Sequence, residues 1–256
     1  MISKRRRFII ISAILSIGLL VTQFVSYNLR YWLILGLTLL AYFLPILGFW
    51  EDFKKTAWIT ILPLPAIYAG SVALFYFLLP QAFLTRISIL LFFGVGMYAI
   101  LLSGNIFLVA AIRTIQLSRA AQAVDFLMTL ISAFFLYDTI FSFKLAGWWN
   151  GFLIGFLSFF LILPACWNVL LEESVSRTVM IYGLVLSLLQ GELSFFISFW
   201  PVTIPVYSLF LVTGLYVGLG LAQNQLVGRL FKKTIYEYLQ VGVIIFIITF
   251  LLARWG

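Results

Sequence analysis

Apolar residues in this chain come in long unbroken runs, without the one-sided stripe of a soluble helix or the alternation of a half-buried strand. Charged and turn-forming residues separate them into nine stretches, at 8–27, 31–50, 58–79, 87–112, 125–143, 149–171, 178–199, 202–222 and 234–253. At 1.5 Å per residue, each crosses a hydrocarbon core of about 30 Å as an α-helix. Barrel strands are excluded, because they are about half as long and alternate in polarity. The pattern predicts an all-α, polytopic membrane helix bundle of about nine transmembrane helices.

Composition sharpens that reading. Of 256 residues, 64% are hydrophobic and 9% charged, with a mean hydropathy of +1.16. Soluble domains carry about a quarter charged residues, so a water-soluble globular fold, a disordered chain and a disulfide scaffold are all ruled out. Little chain remains between the stretches, and residues 1–256 are expected to form a single transmembrane domain with no soluble domain.

Basic residues set the orientation. With the amino terminus in the cytoplasm, twelve lie inside: Lys4, Arg5, Arg6, Arg7, Lys54, Lys55, Arg113, Arg119, Arg177, Arg229, Lys232 and Lys233. Four lie outside: Arg30, Arg86, Lys144 and Arg254. This bias follows the positive-inside rule and predicts an N-in, C-out topology in a bacterial-type cytoplasmic (inner) membrane. No small-residue cleavage site follows the first run, so it is read as a retained signal anchor. Trp32, Trp50, Trp58, Trp148, Trp149, Trp167, Trp200 and Trp255 all fall near proposed span ends, where indole prefers the headgroup boundary. In the 223–233 connection, Leu226, Val227, Leu230 and Phe231 recur at helical spacing. They suit either an amphipathic turn on an anionic leaflet or two helix ends meeting in a charged turn.

Several chemistries are excluded by composition. The chain has no histidine, which removes His relays, His metal sites and His-activated nucleophiles. Cys166 lies in an apolar run without a neighbouring cation and reads as a buried, inert thiol. The net charge of +8 points to anionic headgroups at the cytoplasmic face, since the loops are too short for a nucleic-acid surface. No cofactor is expected.

Polar residues inside the spans are the functional candidates, because they are costly in hydrocarbon. Glu192 lies about 12 Å below Trp200 along a helix, near mid-bilayer, and must be neutral or paired there. If Gln190, Gly191 and Glu192 form the outer turn instead, it becomes a wet loop residue. Asp138 lies about a turn and a half from the outer end of the fifth span, within reach of Lys144. Asp125 and Glu237 are expected as solvated interfacial charges beside Arg119 and Lys233. Asn105 lies with Ser103 in the inner half of the fourth span, and Asn168 lies near the inner end of the sixth. Such amides generally bond across helices. The pairs Gly151/Gly155 and Gly214/Gly218 predict close helix packing. Pro45, Pro63, Pro65 and Pro164 predict kinks or local opening.

The string Glu172-Glu173-Ser174-Val175-Ser176-Arg177 resembles the EExxxR signature of the CAAX-protease and bacteriocin-processing family of intramembrane enzymes. That resemblance implies Glu172 and Glu173 as catalytic carboxylates, but the family also uses histidines in later helices, and this chain has none. Helical spacing alone allows Glu173 and Arg177 to form an interfacial ion pair. Lipid or prenyl-chain chemistry on Mg²⁺ needs an acidic cluster, and only Glu172 and Glu173 are adjacent near the inner leaflet.

The expected function is that of a non-enzymatic subunit, scaffold or assembly partner that meets lipid and other membrane proteins. The alternative is a transporter of a small solute or proton. It requires Glu192, Asp138 and Asn105 to converge on one polar cavity. A degenerate CAAX-protease-like protein is a third reading.

Overall fold

The computed structural model describes residues 3–25, 27–51, 57–79, 82–110, 118–172 and 174–253, the side chains of residues 27 and 28 aside. Among these the chain is all-helical: α1 (Lys4–Val21), α2 (Tyr27–Phe49), α3 (Ala57–Thr60), α4 (Pro63–Tyr76), α5 (Phe83–Ala110), α6 (Ser118–Ser142), α7 (Gly147–Leu170), α8 (Arg177–Ile197), α9 (Ile204–Leu226) and α10 (Lys232–Leu252). Among the described residues eight stretches are long and apolar enough to cross a membrane, α3 and α4 counting together as one. In a membrane each buries its own backbone N–H and C=O groups in intrahelical bonds.

Several boundaries differ from those read off the hydropathy. The first helix ends at Val21, and Thr22–Val25 form turns that extend the chain beyond it. Because its first four residues are all cations, α1 falls outside the eight apolar spans. The third span is broken at Ile61–Leu62, and Pro63 occupies the first turn of α4, where its missing N–H costs no hydrogen bond. Pro45 and Pro164 lie inside continuous helices. The eighth span runs on to Leu226, so Val227–Phe231 form a turn between two helix ends rather than a separate amphipathic helix, with Gly228 at φ 70°.

Contacts group the chain into two compact units, Met1–Ser132 and Ala133–Gly256. In the first unit α1 packs on α2 and α5, and α4 packs on α2 and α5. Glu51 pairs with Lys4 at 3.3 Å and with Arg7 at 3.0 Å, which holds the start of α1 beside the end of α2. At the opposite end Arg30 lies 4.6 Å from the Phe77 ring centre, and Arg86 lies 5.9 Å from that of Phe24. Arg30 and Glu51 are about 30 Å apart along α2, one hydrocarbon thickness. The same two layers therefore bracket α1 and its following turns.

Tyr68 anchors the centre of this unit. Its ring stacks on Phe93 at 5.5 Å, its hydroxyl donates to the Phe92 carbonyl at 3.0 Å, and it lies directly on Gly96. Only a glycine leaves room for the phenol at that point.

In the second unit α7 packs along α8, α8 and α7 pack on α9, and α10 packs on α9. The α7–α8 pair is the tightest. A Cβ on Gly191 would lie 2.8 Å from the Gly151 carbonyl oxygen, and one on Gly155 would lie 3.2 Å from that of Ser187. The Gly151/Gly155 pair thus forms a packing face, as its spacing predicts. Gly214 and Gly218 likewise receive Leu193 and Leu186 of α8.

Candidate functional site: a buried polar seam and a membrane-facing groove

Two arrangements in the second unit carry most of its polar chemistry. Residues 143–146 join the end of α6 to the start of α7, the Asn150–Ser198 bond brings the end of α8 there, and residues 201–203 lead on to the start of α9. Asp138, four residues before the end of α6, and Ser208, four residues into α9, are therefore both about 6 Å deep. The Ser208 hydroxyl lies 3.3 Å from Asp138 Oδ1 and 3.1 Å from the Ile204 carbonyl, so its one proton is shared between two acceptors. Gln190 and Leu211 lie deeper, each seven residues from its helix end, or about 10 Å. There Gln190 Nε2 donates to the Leu211 carbonyl at 2.6 Å.

The Tyr137 hydroxyl shares a 2.6 Å hydrogen bond with Ser158 of α7 and also meets the Gln190 side chain. Near the helix ends Asn150 Nδ2 donates to Ser198 at 3.3 Å, while its Oδ1 is buried without a hydrogen-bond partner. Tyr137, Asp138, Asn150, Ser158, Gln190 and Ser208 are all at least nine-tenths buried. Together they form a polar seam from the helix ends to mid-depth, tying α6, α7, α8 and α9 together.

Glu192 lies two positions from Gln190 and faces elsewhere. It sits inside α8, five residues before Ile197, so residues 190–192 are helical and not an outer turn. Two residues turn an α-helix by about 200°, which carries Glu192 from the buried side to the exposed one. It lines an open groove of about 930 Å³ between α7 and α8, with Trp148, Phe152, Phe156, Phe195 and Phe196 among its walls. Along α7 the exposed Trp148, Trp149, Phe152 and Phe156 and the half-buried Phe160 form a ladder, with Trp148–Trp149 ring centres 4.2 Å apart, Phe152–Phe156 6.1 Å and Phe156–Phe160 5.3 Å.

Within the second unit, Asp138 and Glu192, two of the residues proposed for a transport cavity, do not share one. Asn105 belongs to the first unit, half-buried in α5 with its Oδ1 lacking a hydrogen-bond partner. Asp138 is enclosed in the seam, and Glu192 faces the groove. The acceptor Asp138 binds a serine, not Lys144. Asp125, expected to be solvated, is 6% exposed, because α6 starts at Ser118 and carries it a full two turns into the helix. Glu237 is exposed and lies 3.9 Å from Lys233.

Glu173 lies outside the described residues. Ser174–Ser176 are not helical and α8 begins at Arg177, so the described part of the EExxxR-like string before Arg177 lies between helices. Leu171 ends α7 in the left-handed region at φ 54°, Trp167 Nε1 donates to the Glu172 carbonyl at 3.0 Å, and Ser176 caps α8. Cys166 is buried.

Sequence reasoning did not single out Tyr137, Ser158, Gln190 or Ser208. Gln190 carried a usable signal, an amide seven residues inside an apolar span. Tyr137 and the two serines carried none, since such residues are common in membrane helices.

Helices of this length and polarity, with interior polar groups bonded across helices, define a multi-pass helical membrane protein. The chain belongs to DUF5656, a family of proteins of unknown function, whose model matches residues 50–252. That match includes every residue of the seam and of the groove. No curated protein and no solved structure matches the chain.

Proposed function

We infer that this protein is a non-catalytic membrane subunit or assembly partner, built to hold another membrane component against its second unit. The observation that supports this reading is the contrast between interior side chains that bond across helices, Gln190 to Leu211 and Tyr137 to Ser158, and polar side chains exposed at membrane depth. Glu192 faces outward about 8 Å inside the end of α8, and Gln240 faces outward eight residues into α10, about 12 Å. α10 itself buries little besides Thr249. A hydrogen-bonding side chain facing hydrocarbon is stabilised by a partner helix that brings it a bonding group.

The same reading places the Lys4–Arg7 end, the α7–α8 connection and the α9–α10 turn in the cytoplasm of a bacterial-type inner membrane, against anionic headgroups. Bracketing of α1 between the Glu51 and Arg86 layers supports α1 as a ninth span, with the two chain ends on opposite sides. Native-gel electrophoresis of the full chain from its own membrane in a mild detergent tests the assembly reading. A complex larger than the monomer is expected, and it should dissociate in the Glu192→Leu/Gln240→Leu double variant. Migration as a monomer in native membranes would end this reading.

A further inference from the structure

The α7–α8 groove carries a second message in the chemistry of its walls. Its charged member is the Glu192 carboxyl, and the rest of its lining is aromatic, aliphatic, glycine and one serine. Trp148, Phe152 and Phe156 from α7 and Phe195 and Phe196 from α8 flank the carboxyl level on both sides. Aromatic ring faces attract cations, and a carboxylate does so more strongly in a medium that does not solvate it. The groove is therefore complementary to a positive charge in two independent ways.

Depth selects the carrier of that charge. Glu192 lies about 12 Å below Trp200 along the chain, beneath the layer where lipid headgroups hold their amines. A lipid tail passing this level has nothing polar to offer. A transmembrane helix presents a side chain at any depth, and its ridge fits an open groove running along two helices. Every described Lys and Arg of this chain lies in a loop or in the first four residues of its helix, none as far in as Glu192. No described cation of this chain matches that depth, and a side chain on a partner's transmembrane helix does.

We propose that the α7–α8 groove receives a transmembrane helix of a partner protein, whose Lys or Arg pairs with Glu192 among the aromatic rings. This rests on the assembly reading above and names the chemistry of the partner.

The test uses synthetic transmembrane peptides with a Leu/Ala host sequence. One peptide has a single Lys about 12 Å from its end, and the other has Leu at that position. Each carries a fluorescent acceptor. The full chain, labelled with a donor at Phe199→Cys, is reconstituted in phosphatidylcholine vesicles; the buried Cys166 does not take the label. Energy transfer should saturate with the Lys peptide at about one-tenth or less of the concentration that the Leu peptide requires, and Glu192→Gln should abolish that preference. Equal association of the two peptides would overturn the proposal, as would a preference that survives Glu192→Gln. So would donor-to-acceptor transfer between labelled copies that excludes both peptides, which would give the groove to a second copy of this chain. A native complex that dissociates on Glu192→Leu/Gln240→Leu, combined with no peptide preference, leaves the assembly reading standing and removes the cation.

Discussion

The buried seam and the membrane-facing groove are built on the same pair of helices and use polar residues in opposite ways. In the seam, Gln190 donates to Leu211 and Tyr137 shares a bond with Ser158, so these groups enter the membrane already partnered. In the groove, Glu192 is exposed beside aromatic rings. A difference of two positions along α8 separates a side chain that holds the fold together from one that is available to something outside it. Stability and partner binding are therefore expected to respond to different substitutions on one helix.

The largest effect should come from the contact that lies beneath both features. Gly191 meets the Gly151 backbone so closely that a Cβ would lie 2.8 Å from a carbonyl oxygen, an atom that no rotamer change moves aside. Gly191→Leu should separate α7 from α8 and destabilise the protein by about 3 kcal/mol or more, read as a shift in the SDS-unfolding midpoint. Gly36→Leu is the matched control: nothing lies within 4 Å of a Cβ at that position, so the midpoint should hold. An equal response at the two glycines would show that α7–α8 packing is not the foundation of the seam and groove.

A smaller effect is expected within the seam. A double-mutant cycle of Tyr137→Phe and Ser158→Ala should give a coupling of about 0.6 kcal/mol, with about 1.7 as the upper end for interhelical bonds in membranes. The cycle of Asp138→Ala and Ser208→Ala should be weaker than that of Tyr137 and Ser158, because the 3.3 Å bond is longer than the 2.6 Å one. Zero coupling in both cycles would mean that the seam is only a line of coincident polar atoms.

These features differ in how far the sequence revealed them. The spans were legible because hydrocarbon imposes one length and one polarity on every crossing, and the two prolines near Leu64 marked the break before α4. The glycine pair on α7 was legible as a packing face. Its partner Gly191 was not, since contact between helices depends on their mutual rotation. The seam was hidden for the same reason: Ser208 is 70 residues from Asp138, and the Lys144 expectation took the nearest opposite charge in sequence. Glu192 was read as lying within a span, with an outer turn as the alternative; it is helical, and its outward orientation depends on which face of α8 the neighbouring glycines select. Asp125 was misplaced because α6 starts earlier than its apolar run, burying a residue that hydropathy assigns to the interface.

The smallest expected change is the one that separates the two regions most clearly. Gln190→Leu removes a donor from the buried Leu211 carbonyl and leaves the Tyr137 hydroxyl with one fewer partner, so it should lower the SDS-unfolding midpoint. Glu192→Leu, two positions away, replaces an exposed carboxyl with a side chain that hydrocarbon solvates well. It should leave the midpoint unchanged or raise it slightly. If Glu192→Leu lowers the midpoint as much as Gln190→Leu, the carboxyl belongs to the fold, and the distinction between seam and groove collapses.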